Sequence, residues 1–303
     1  MGRHTLWRNK LIVSPRSPAT DARAAGWCFV FMLMFAPFAI GADDAPQPLP
    51  DRQVIAGPTV ISDSSIRLQP IVSDYIDAYR TPAGLEYISR SLENARPYRD
   101  FIVDTLSEYR LPGELKYLAL IESSFDPRAV SRSGAVGIWQ FMENSVEDWM
   151  RITHWVDERR DFYRSTIAAA EKLARNFIEL EDWLLSIAAY NAGLGHVQRA
   201  MEAENTADFW ELAASGALPD QTVDYVPKFL AITWIAQRAG RNGLPTEWIA
   251  PLNWSRVWFP GGTSLRQLAD DIGVEAEALH SWNVHLNNAS IPEEIPRYPL
   301  NIP

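Results

Sequence analysis

Apolar residues recur every three or four positions along most of the chain after residue 62. The first series runs through residues 71–79, and two more occupy residues 85–92 and 101–109. This spacing puts the apolar side chains on one face of a helix, so it predicts amphipathic α-helices. The same spacing predicts further helices over residues 145–152, 163–180, 182–191, 195–203, 206–215 and 222–239.

The helical spacing of apolar residues is interrupted at residues 111–113, and the runs that follow it become shorter after residue 245. The sequence Leu111-Pro112-Gly113 interrupts the helical spacing and opens another helix, which we expect to end at Glu122. No alternating strand is evident before about residue 255, so the bulk of the chain is predicted to be all-α. After residue 245 prolines, tryptophans and asparagines become frequent and the helical segments shorten, which predicts a small appended module over residues 246–303.

The first 42 residues have the layout of a secretory signal. Five basic side chains precede an uncharged apolar run, Ala24–Ala42, with small residues at its end. We expect cleavage near Ala42 and export to the periplasm or cell envelope, although the run is also long enough to remain as a membrane anchor. The proline-rich residues 43–62 are predicted to form a linker, which leaves residues 63–245 as the main domain.

Composition narrows the classes of function. Residues 43–303 carry 23 basic and 37 acidic side chains, and a net charge of −14 makes nucleic acid a poor partner. The single cysteine, Cys28, lies in the N-terminal apolar run, so we expect neither disulfides nor thiol chemistry after it. The five histidines lack the spacing of metal ligands, so neither a metal nor a cofactor is expected.

Glu122 is the first candidate for chemistry. It follows YLALI, five residues without a formal charge. Desolvation at the edge of an apolar environment disfavours a carboxylate anion, so such a carboxyl group retains its proton and can act as a general acid. The alternative is a solvated acid near a helix C-terminus with no chemical role.

Two later segments carry groups suited to a carbohydrate ligand. The first, AVSRSGAVGIWQFM, combines glycines, which let backbone approach a ligand, with Gln140, whose amide can both donate to and accept from hydroxyl groups. The second, AAYNAGLG, places Tyr190 and Asn191 at the end of an apolar helix. A flexible loop and a simple helix C-cap are the corresponding structural alternatives.

Three segments, in order, resemble the lytic transglycosylases of bacterial cell-wall metabolism, relatives of goose-type lysozyme. They are ESSFDPRAVSRSGAVGIWQFM, AYNAG and YVPKFLAI, and the resemblance spans about residues 65–240. The lead-in LPGELKYLALIESSF is most similar to the membrane-bound transglycosylase D group. The resemblance implies a lysozyme-like helical catalytic domain that cleaves the β-1,4 bond between N-acetylmuramic acid and N-acetylglucosamine and leaves a 1,6-anhydro end.

The resemblance also implies roles for individual residues. Glu122 would be the sole acid/base, assisted by the substrate's own N-acetyl group. Tyr190 would lie beside it and Tyr225 on the opposite wall, while Gln221-Thr222 stands where the family often has Glu-Thr. The substrate-binding positions implied are Ser131, Gln140, Met142, Tyr190, Asn191 and Tyr225.

The C-terminal segment has a weaker resemblance of its own. TSLRQLADDIGVEAEALHSWN and the closing PLNIP resemble a degenerate LysM peptidoglycan-binding motif, and therefore a small α+β module. It would either bind glycan or pack against the catalytic domain. Among the tryptophans, Trp139 is the first candidate for stacking on a sugar.

Peptidoglycan glycan strands are thus the expected partner, with association with the envelope membrane left open. Two other functions remain compatible with the sequence. One is a hydrolase of the same fold, which would cut the same bond with water. The other is a non-catalytic protein that binds the cell wall or serves as a scaffold there.

Overall fold

The computed structural model describes residues 69–146, 149–244 and 252–303. The predicted signal segment and linker lie outside these residues, as does the boundary predicted at residue 245. The described parts belong to one compact unit, Pro46–Pro303. Within them, no helix has both the length and the apolar character needed to cross a membrane.

The first part of the described chain is helical, as its three- and four-residue spacing predicts. The helices are α1 (Pro70–Tyr79), α2 (Pro82–Asn94), α3 (Arg99–Glu108), α4 (Lys116–Ser123), α5 (Phe162–Leu180), α6 (Trp183–Ala192), α7 (Leu194–Glu204), α8 (Phe209–Ser215) and α9 (Asp220–Gln237). Short 3-10 turns occur at Gly113–Leu115, Glu143–Ser145, Glu158–Arg160 and Ala239–Asn242. The predicted all-α class of this part is confirmed.

The C-terminal part has the mixed α+β character expected of it. Its elements are β1 (Ser255–Pro260), α10 (Leu265–Ile272), α11 (Ala276–Trp282) and β2 (Arg297–Ile302). The strands are antiparallel, with Ser255 opposite Ile302 at one end and Pro260 opposite Arg297 at the other. The similarity of this part to LysM stays a prediction.

Helix α6 lies at the centre of the helical core. Its sequence WLLSIAAYNA is apolar on nearly every side, and a helix with no polar face is stable only when it is surrounded by protein. It packs against α5, α7 and α9, and α9 in turn packs against α1 and α4. The C-terminal ends of α4 and α6 are thereby brought to the side of α9, although they come from distant parts of the sequence.

One predicted helix is wrong. Residues 145–152 do not form a helix where the structure describes them: Glu143–Ser145 is a 3-10 turn, and Ile152 makes an isolated β-bridge with Asp157. Val146 and Met150 are nevertheless buried. Two buried side chains four residues apart are typical of a helix, but here they belong to an irregular segment.

The C-terminal part shares apolar packing with the helical part. Trp155 and Val156 lie in one cluster with Leu279 and Leu300 of the C-terminal elements. In the other direction, Trp282 of α11 lies in the main helical core. These contacts support the interpretation that the module packs against the helical part. Its binding of glycan stays a prediction.

A buried ion pair adds to this packing. Asp161, which caps the start of α5, is fully buried and accepts two hydrogen bonds from the Arg256 guanidinium of β1, at 2.7 and 3.2 Å. The Asn301 side chain of β2 accepts a third bond from Arg256 at 2.7 Å. Strand β1 is therefore attached by charge as well as by apolar contact to the start of α5.

Candidate active site

Glu122 lies in the last turn of α4, where the chain changes direction sharply. Ser124 and Phe125 both have left-handed backbone angles, with φ of 55° and 61°. The amide of Ser124 donates to the carbonyl of Leu120 at 2.8 Å, which closes the helix end. Phe125 is fully buried and offsets the cost of this unusual backbone. The predicted helix end is thus displaced by only one residue.

The glycine-rich segment forms a small hairpin against this helix end. Val136 bridges to both Val130 and Phe141, and the Ser123 hydroxyl donates to the carbonyl of Ile138 at 2.8 Å. Gly137 has a φ of +84°, and a Cβ there would lie 1.9 Å from the carbonyl oxygen of Arg159. Gly137 therefore lets the hairpin backbone pack closely against the backbone at Arg159. This packing is a structural reason for the glycine, separate from any contact with a ligand.

The carboxyl group of Glu122 is half-buried and directly hydrogen-bonded. The Tyr225 hydroxyl donates to its Oε1 at 2.6 Å. Burial raises the pKa of Glu122 to about 7, although the Tyr225 hydrogen bond and the positive charge of Lys172 both act to lower it. The desolvation penalty therefore outweighs both stabilising contacts, and the group exchanges its proton near neutral pH.

Tyr225 is not where the resemblance suggested. It was expected on the opposite wall from the acid, but it contacts that acid directly, because α9 packs against α4. Tyr190, expected beside the acid, is buried, and its hydroxyl donates to the carbonyl of Trp139 at 2.9 Å. Electrostatic repulsion from Glu122 contributes to raising the pKa of both phenols, after burial, which is the largest cause.

Asn191 is held by Thr222, the second residue of the Gln221-Thr222 pair. The Thr222 hydroxyl donates to Oδ1 of Asn191 at 2.9 Å. Thr222 is fully buried, whereas its neighbour Gln221 is exposed. The Thr of this pair therefore orients the Asn side chain, and the exposed Gln takes no part in that contact.

The remaining predicted binding residues lie on the hairpin or just after it. The Ser131 hydroxyl accepts from the amide of Ala135 at 2.9 Å, and the Gln140 side-chain amide donates to the carbonyl of Gly137 at 2.8 Å. Met142 is half-buried and precedes the 3-10 turn at Glu143–Ser145. Each of these residues stays at least partly accessible to a ligand.

Trp139 is buried and has no face available to stack on a sugar. Its exposed fraction is 1%, and its indole nitrogen donates to the Thr166 hydroxyl at 2.9 Å. Seen in sequence, the aromatic residue after a glycine-rich stretch was compatible with a binding surface. In the fold it anchors the hairpin to α5, so that expectation is wrong.

Many glycosidases use a second carboxylate, and Asp126 and Asp161 are the candidates here. Neither is seen to contact Glu122. Asp161 is occupied by the buried Arg256 pair, which holds its pKa below the usual range despite its burial. Asp126 is exposed and lines a cavity of about 430 Å³ whose lining does not include Glu122. Among the described residues, no cluster of three or more His, Cys, Asp or Glu side chains is arranged to hold a metal.

Sequence reasoning missed Lys172. Its ammonium nitrogen donates to the carbonyl of Tyr190 at 3.1 Å and lies 4.6 Å from the centre of the Tyr190 ring. In the sequence it stands in AAAEKLARNF, where a lysine looks like part of a solvated helix face. The packing of α5 on α6 instead brings it against Tyr190 of α6.

Comparison with known proteins matches part of this site to a family model. Residues 101–213 match the family model described as Transglycosylase SLT domain. This match covers little more than a third of the chain. The match includes Glu122, Lys172 and Tyr190, and it ends before Tyr225. It confirms the resemblance to the lytic transglycosylases that the sequence motifs indicated.

A curated relative and two solved structures were also found. Over a stretch of 212 residues the chain is 34% identical to membrane-bound lytic murein transglycosylase D of Escherichia coli K12, which covers 67% of this chain and 46% of that protein. The chain thus spans about half the length of this curated relative.

Both solved structures are 20% identical, with a TM-score of 0.40. Lytic transglycosylase Slt of Pseudomonas aeruginosa matches over 48% of this chain and 24% of its own. The 70 kDa soluble lytic transglycosylase of Escherichia coli matches over 60% of this chain and 32% of its own.

Proposed function

We propose that the protein is a peptidoglycan lytic transglycosylase with Glu122 as its acid/base. The observation that carries this proposal is the Glu122 carboxyl group, half-buried and bonded to Tyr225, with a pKa raised to about 7. A group with a pKa near the working pH can both give and take a proton efficiently. The SLT domain and the named relative support the choice of substrate, a glycan strand of the cell wall.

The first step requires an acid. Protonated Glu122 donates to the oxygen of the β-1,4 bond between N-acetylmuramic acid and N-acetylglucosamine, and the bond to the muramic acid C1 breaks. The cationic centre that develops is stabilised by the carbonyl of the substrate's own N-acetyl group. This assignment suits a site in which Asp126 and Asp161, the alternatives for a second carboxylate, are turned to other contacts.

The second step requires a base. Glu122, now a carboxylate, removes the proton from the C6 hydroxyl of the same sugar, and the C6 oxygen bonds to C1. The carboxyl group is thereby restored, and a 1,6-anhydro ring forms without water. Because nucleophile and electrophile belong to one bound sugar, correct positioning supplies much of the rate enhancement.

The half-buried polar side chains around the carboxyl site supply the proposed binding contacts. We assign Ser131 to the N-acetyl group, and Gln140 and Met142 to the wall of the cleft. Asn191, oriented by Thr222, supports the same corner. Tyr225 orients the carboxyl group itself, while Tyr190 acts indirectly, through its bond to the hairpin backbone.

The proposed substrate also sets the place of action. Peptidoglycan lies in the cell envelope, and the curated relative is named as membrane-bound. We therefore propose that the protein is exported and works at the cell wall. The contribution of the C-terminal module to glycan binding is part of this proposal.

The test is digestion of purified peptidoglycan by the protein and by Glu122→Gln. The amide keeps the shape of the side chain but has no proton to donate near neutral pH, so release of soluble muropeptides should fall by about a hundredfold or more. Glu114→Gln, at a partly exposed acid of the preceding 3-10 turn, is the matched control and should digest normally. Normal digestion by Glu122→Gln contradicts the assignment, and wall binding without any digestion by the wild-type protein would indicate a scaffold.

A further inference from the structure

We propose that Arg159 is a positioning residue, whose guanidinium group fixes the glycine-rich hairpin, residues 129–142, through carbonyl groups of the hairpin backbone. This inference rests on the proposed function, because the hairpin carries Ser131 and Gln140, to which that function assigns contacts with the substrate. Arg159 belongs to none of the sequence motifs that carried the resemblance. Its role follows from the contacts that it makes in the fold.

One nitrogen of Arg159 joins the two parts of the hairpin that carry the proposed substrate contacts. Its Nη1 atom donates to the carbonyl of Gly134 at 3.5 Å and to the carbonyl of Phe141 at 3.4 Å. Gly134 lies in the turn that follows Ser131, and its amide donates to the Ser131 carbonyl at 3.1 Å. Phe141 directly follows Gln140. A single side chain thus sets the distance between the parts of the backbone on which Ser131 and Gln140 stand.

Asp157 fixes the direction of the Arg159 guanidinium. The Nε and Nη2 atoms of Arg159 donate to the two carboxylate oxygens of Asp157, at 2.9 and 2.8 Å. Because the guanidinium is a rigid planar fork, binding two of its nitrogens also sets the direction of the third. Both residues are buried, and the carboxylate neutralises the charge of Arg159. The Nη1 atom is therefore held facing the hairpin.

The backbone around Arg159 lies against the hairpin as well. A Cβ on Gly137 would come within 1.9 Å of the Arg159 carbonyl oxygen, so the two backbones touch at that glycine. The neighbouring Arg160 donates from Nη1 to the carbonyl of Arg128, the residue before the hairpin, at 3.0 Å. Residues 157–160 therefore form the support on which the hairpin lies, and the Arg159 side chain is the part of it that reaches the Ser131 turn.

The same support is anchored on its other side by the C-terminal module. The Asp157 amide donates to the carbonyl of His285 at 2.9 Å, and the Tyr298 hydroxyl donates to Oε1 of Glu158 at 2.9 Å. Glu158 and Tyr298 are both buried. Because the backbone that carries Arg159 is held from this side, its guanidinium is attached to a fixed base. The C-terminal module thereby stabilises the proposed cleft without a contact of its own to the substrate.

Two other hydrogen bonds hold the middle of the hairpin beside the acid. The hydroxyl of Ser123, the residue after Glu122, donates to the carbonyl of Ile138 at 2.8 Å, and the Tyr190 hydroxyl donates to the carbonyl of Trp139 at 2.9 Å. These bonds would remain if Arg159 were replaced. The turn that follows Ser131 would instead lose the bond that Arg159 makes to it, so the consequence for the reaction should appear at Ser131.

A purely structural role makes a different prediction. If Arg159 only stabilised the domain as a whole, its replacement would raise hydrogen exchange throughout the domain, and substitution of Ser131 would cost the same with or without it. Arg159→Lys separates the two roles, because lysine keeps the positive charge opposite Asp157 but lacks the planar fork that reaches both carbonyls. Asp157→Asn is the second variant, since it keeps an acceptor for Arg159 but loses the charged partner. It decides the question if Arg159→Lys does not fold.

The first readout is amide hydrogen exchange in the free protein, measured by NMR. The amides of Ser131 and Val136 donate to carbonyls within the hairpin, at 2.9 and 3.0 Å, and report on its opening. In Arg159→Lys they should exchange about tenfold faster, whereas the amides of α9 should keep their wild-type rates. Asp157→Asn should change the same hairpin amides in the same direction.

The matched control is Arg90→Lys. It makes the same chemical change at an arginine that pairs with Glu86 on α2, where both side chains are exposed. The exchange of the hairpin amides should stay as in the wild type. This control separates the loss of the guanidinium at the hairpin from the loss of any guanidinium in the protein.

The second readout is the kcat/KM of peptidoglycan digestion in a double-mutant cycle. Ser131→Ala should lower it about tenfold in the wild-type background but only about twofold in the Arg159→Lys background, because a displaced Ser131 has little left to lose. The same loss in both backgrounds would overturn the role of Arg159, as would wild-type exchange of the hairpin amides in both Arg159→Lys and Asp157→Asn. If the wild-type protein digests nothing, the proposed function fails, while hydrogen exchange still decides whether Arg159 fixes the hairpin.

Discussion

The Tyr225 hydroxyl donates a 2.6 Å hydrogen bond to Oε1 of Glu122, a residue 103 positions earlier in the sequence. This contact joins α4 to α9 at the point where the proposed chemistry takes place. A hydroxyl donor favours the ionised carboxylate, yet burial still raises the pKa of Glu122 to about 7. The balance between one hydrogen bond, one cation and desolvation sets the acid strength of the site.

Loss of that hydroxyl should make Glu122 a weaker acid. In Tyr225→Phe the hydrogen bond to the carboxylate disappears, so we expect the pKa of Glu122 to rise by about one unit. The alkaline limb of the pH–rate profile should move upward with it. The matched control is Tyr109→Phe, which removes a 2.8 Å bond to the carboxylate of Glu171 instead. An unchanged profile in Tyr225→Phe would contradict the orienting role of this bond.

Substitution of Gly137 by alanine should destabilise the hairpin strongly. A Cβ would lie 1.9 Å from the Arg159 carbonyl oxygen, and the φ of +84° is itself unfavourable for alanine. We expect a loss of about 3 kcal/mol in the free energy of unfolding, measured by urea denaturation. Gly134→Ala is the control, since Gly134 has a similar φ of +89° but no atom within 4 Å of a built Cβ. Its loss should be about 1 kcal/mol, and equal losses would argue against steric crowding at Gly137.

Asp161→Asn should lower the free energy of unfolding mainly because it breaks the buried ion pair with Arg256. Asn can still cap α5, but it leaves the Arg256 charge buried without its partner, so we expect a loss of about 3–5 kcal/mol. Asp182→Asn changes an equivalent cap, which accepts from the Leu185 amide at 2.9 Å, without breaking an ion pair. Urea denaturation of both variants measures the two losses in the free energy of unfolding. Equal losses would show that Asp161 contributes only as the cap of α5 and that its ion pair with Arg256 adds nothing.

Stability should decrease as the solution is acidified through the range in which His285 titrates. This residue is fully buried, and burial lowers its pKa from 6.5 to about 4, an effect that Arg256 reinforces and that Asp161 and Asp157 oppose. Between these two pH values the unfolded chain binds a proton that the folded chain does not, so stability rises with pH there. The full effect is about 3 kcal/mol, lost as the pH falls from 6.5 to 4.

Urea denaturation at several pH values measures this contribution. His285→Gln should flatten the slope of unfolding free energy between pH 6.5 and 4, because the amide does not titrate. His154→Gln, at an exposed residue, is the control and should keep the slope. The same slope in all three proteins would show that His285 is not its source.

The helical class and the desolvation of Glu122 were predictable because both depend on local pattern. Apolar spacing locates α5, α6 and α7 to within a residue or two, and the apolar run before Glu122 indicated a desolvated carboxyl group. The same rule failed for residues 145–152, where buried side chains one turn apart occur without a helix. Periodicity reports which side chains are buried, and the backbone follows only when hydrogen bonding permits it.

The partners of Glu122 were not predictable in the same way. Tyr225 reaches it from α9, and the charge of Lys172 on α5 acts to lower its pKa, yet no local signal in either helix points toward α4. Trp139 shows the opposite error, since an aromatic residue after glycines was interpreted as a ligand contact and is a buried anchor. Such contacts depend on how whole helices pack, which the spacing within one helix does not determine.

The most direct test of the account is the mass of the muropeptides that the protein releases from purified peptidoglycan. An intramolecular transfer by Glu122 predicts products that are lighter by one water molecule than the corresponding reducing muropeptides, because the C6 oxygen closes the ring. Reducing muropeptides would contradict it, since they would show that water rather than the C6 hydroxyl attacks the intermediate.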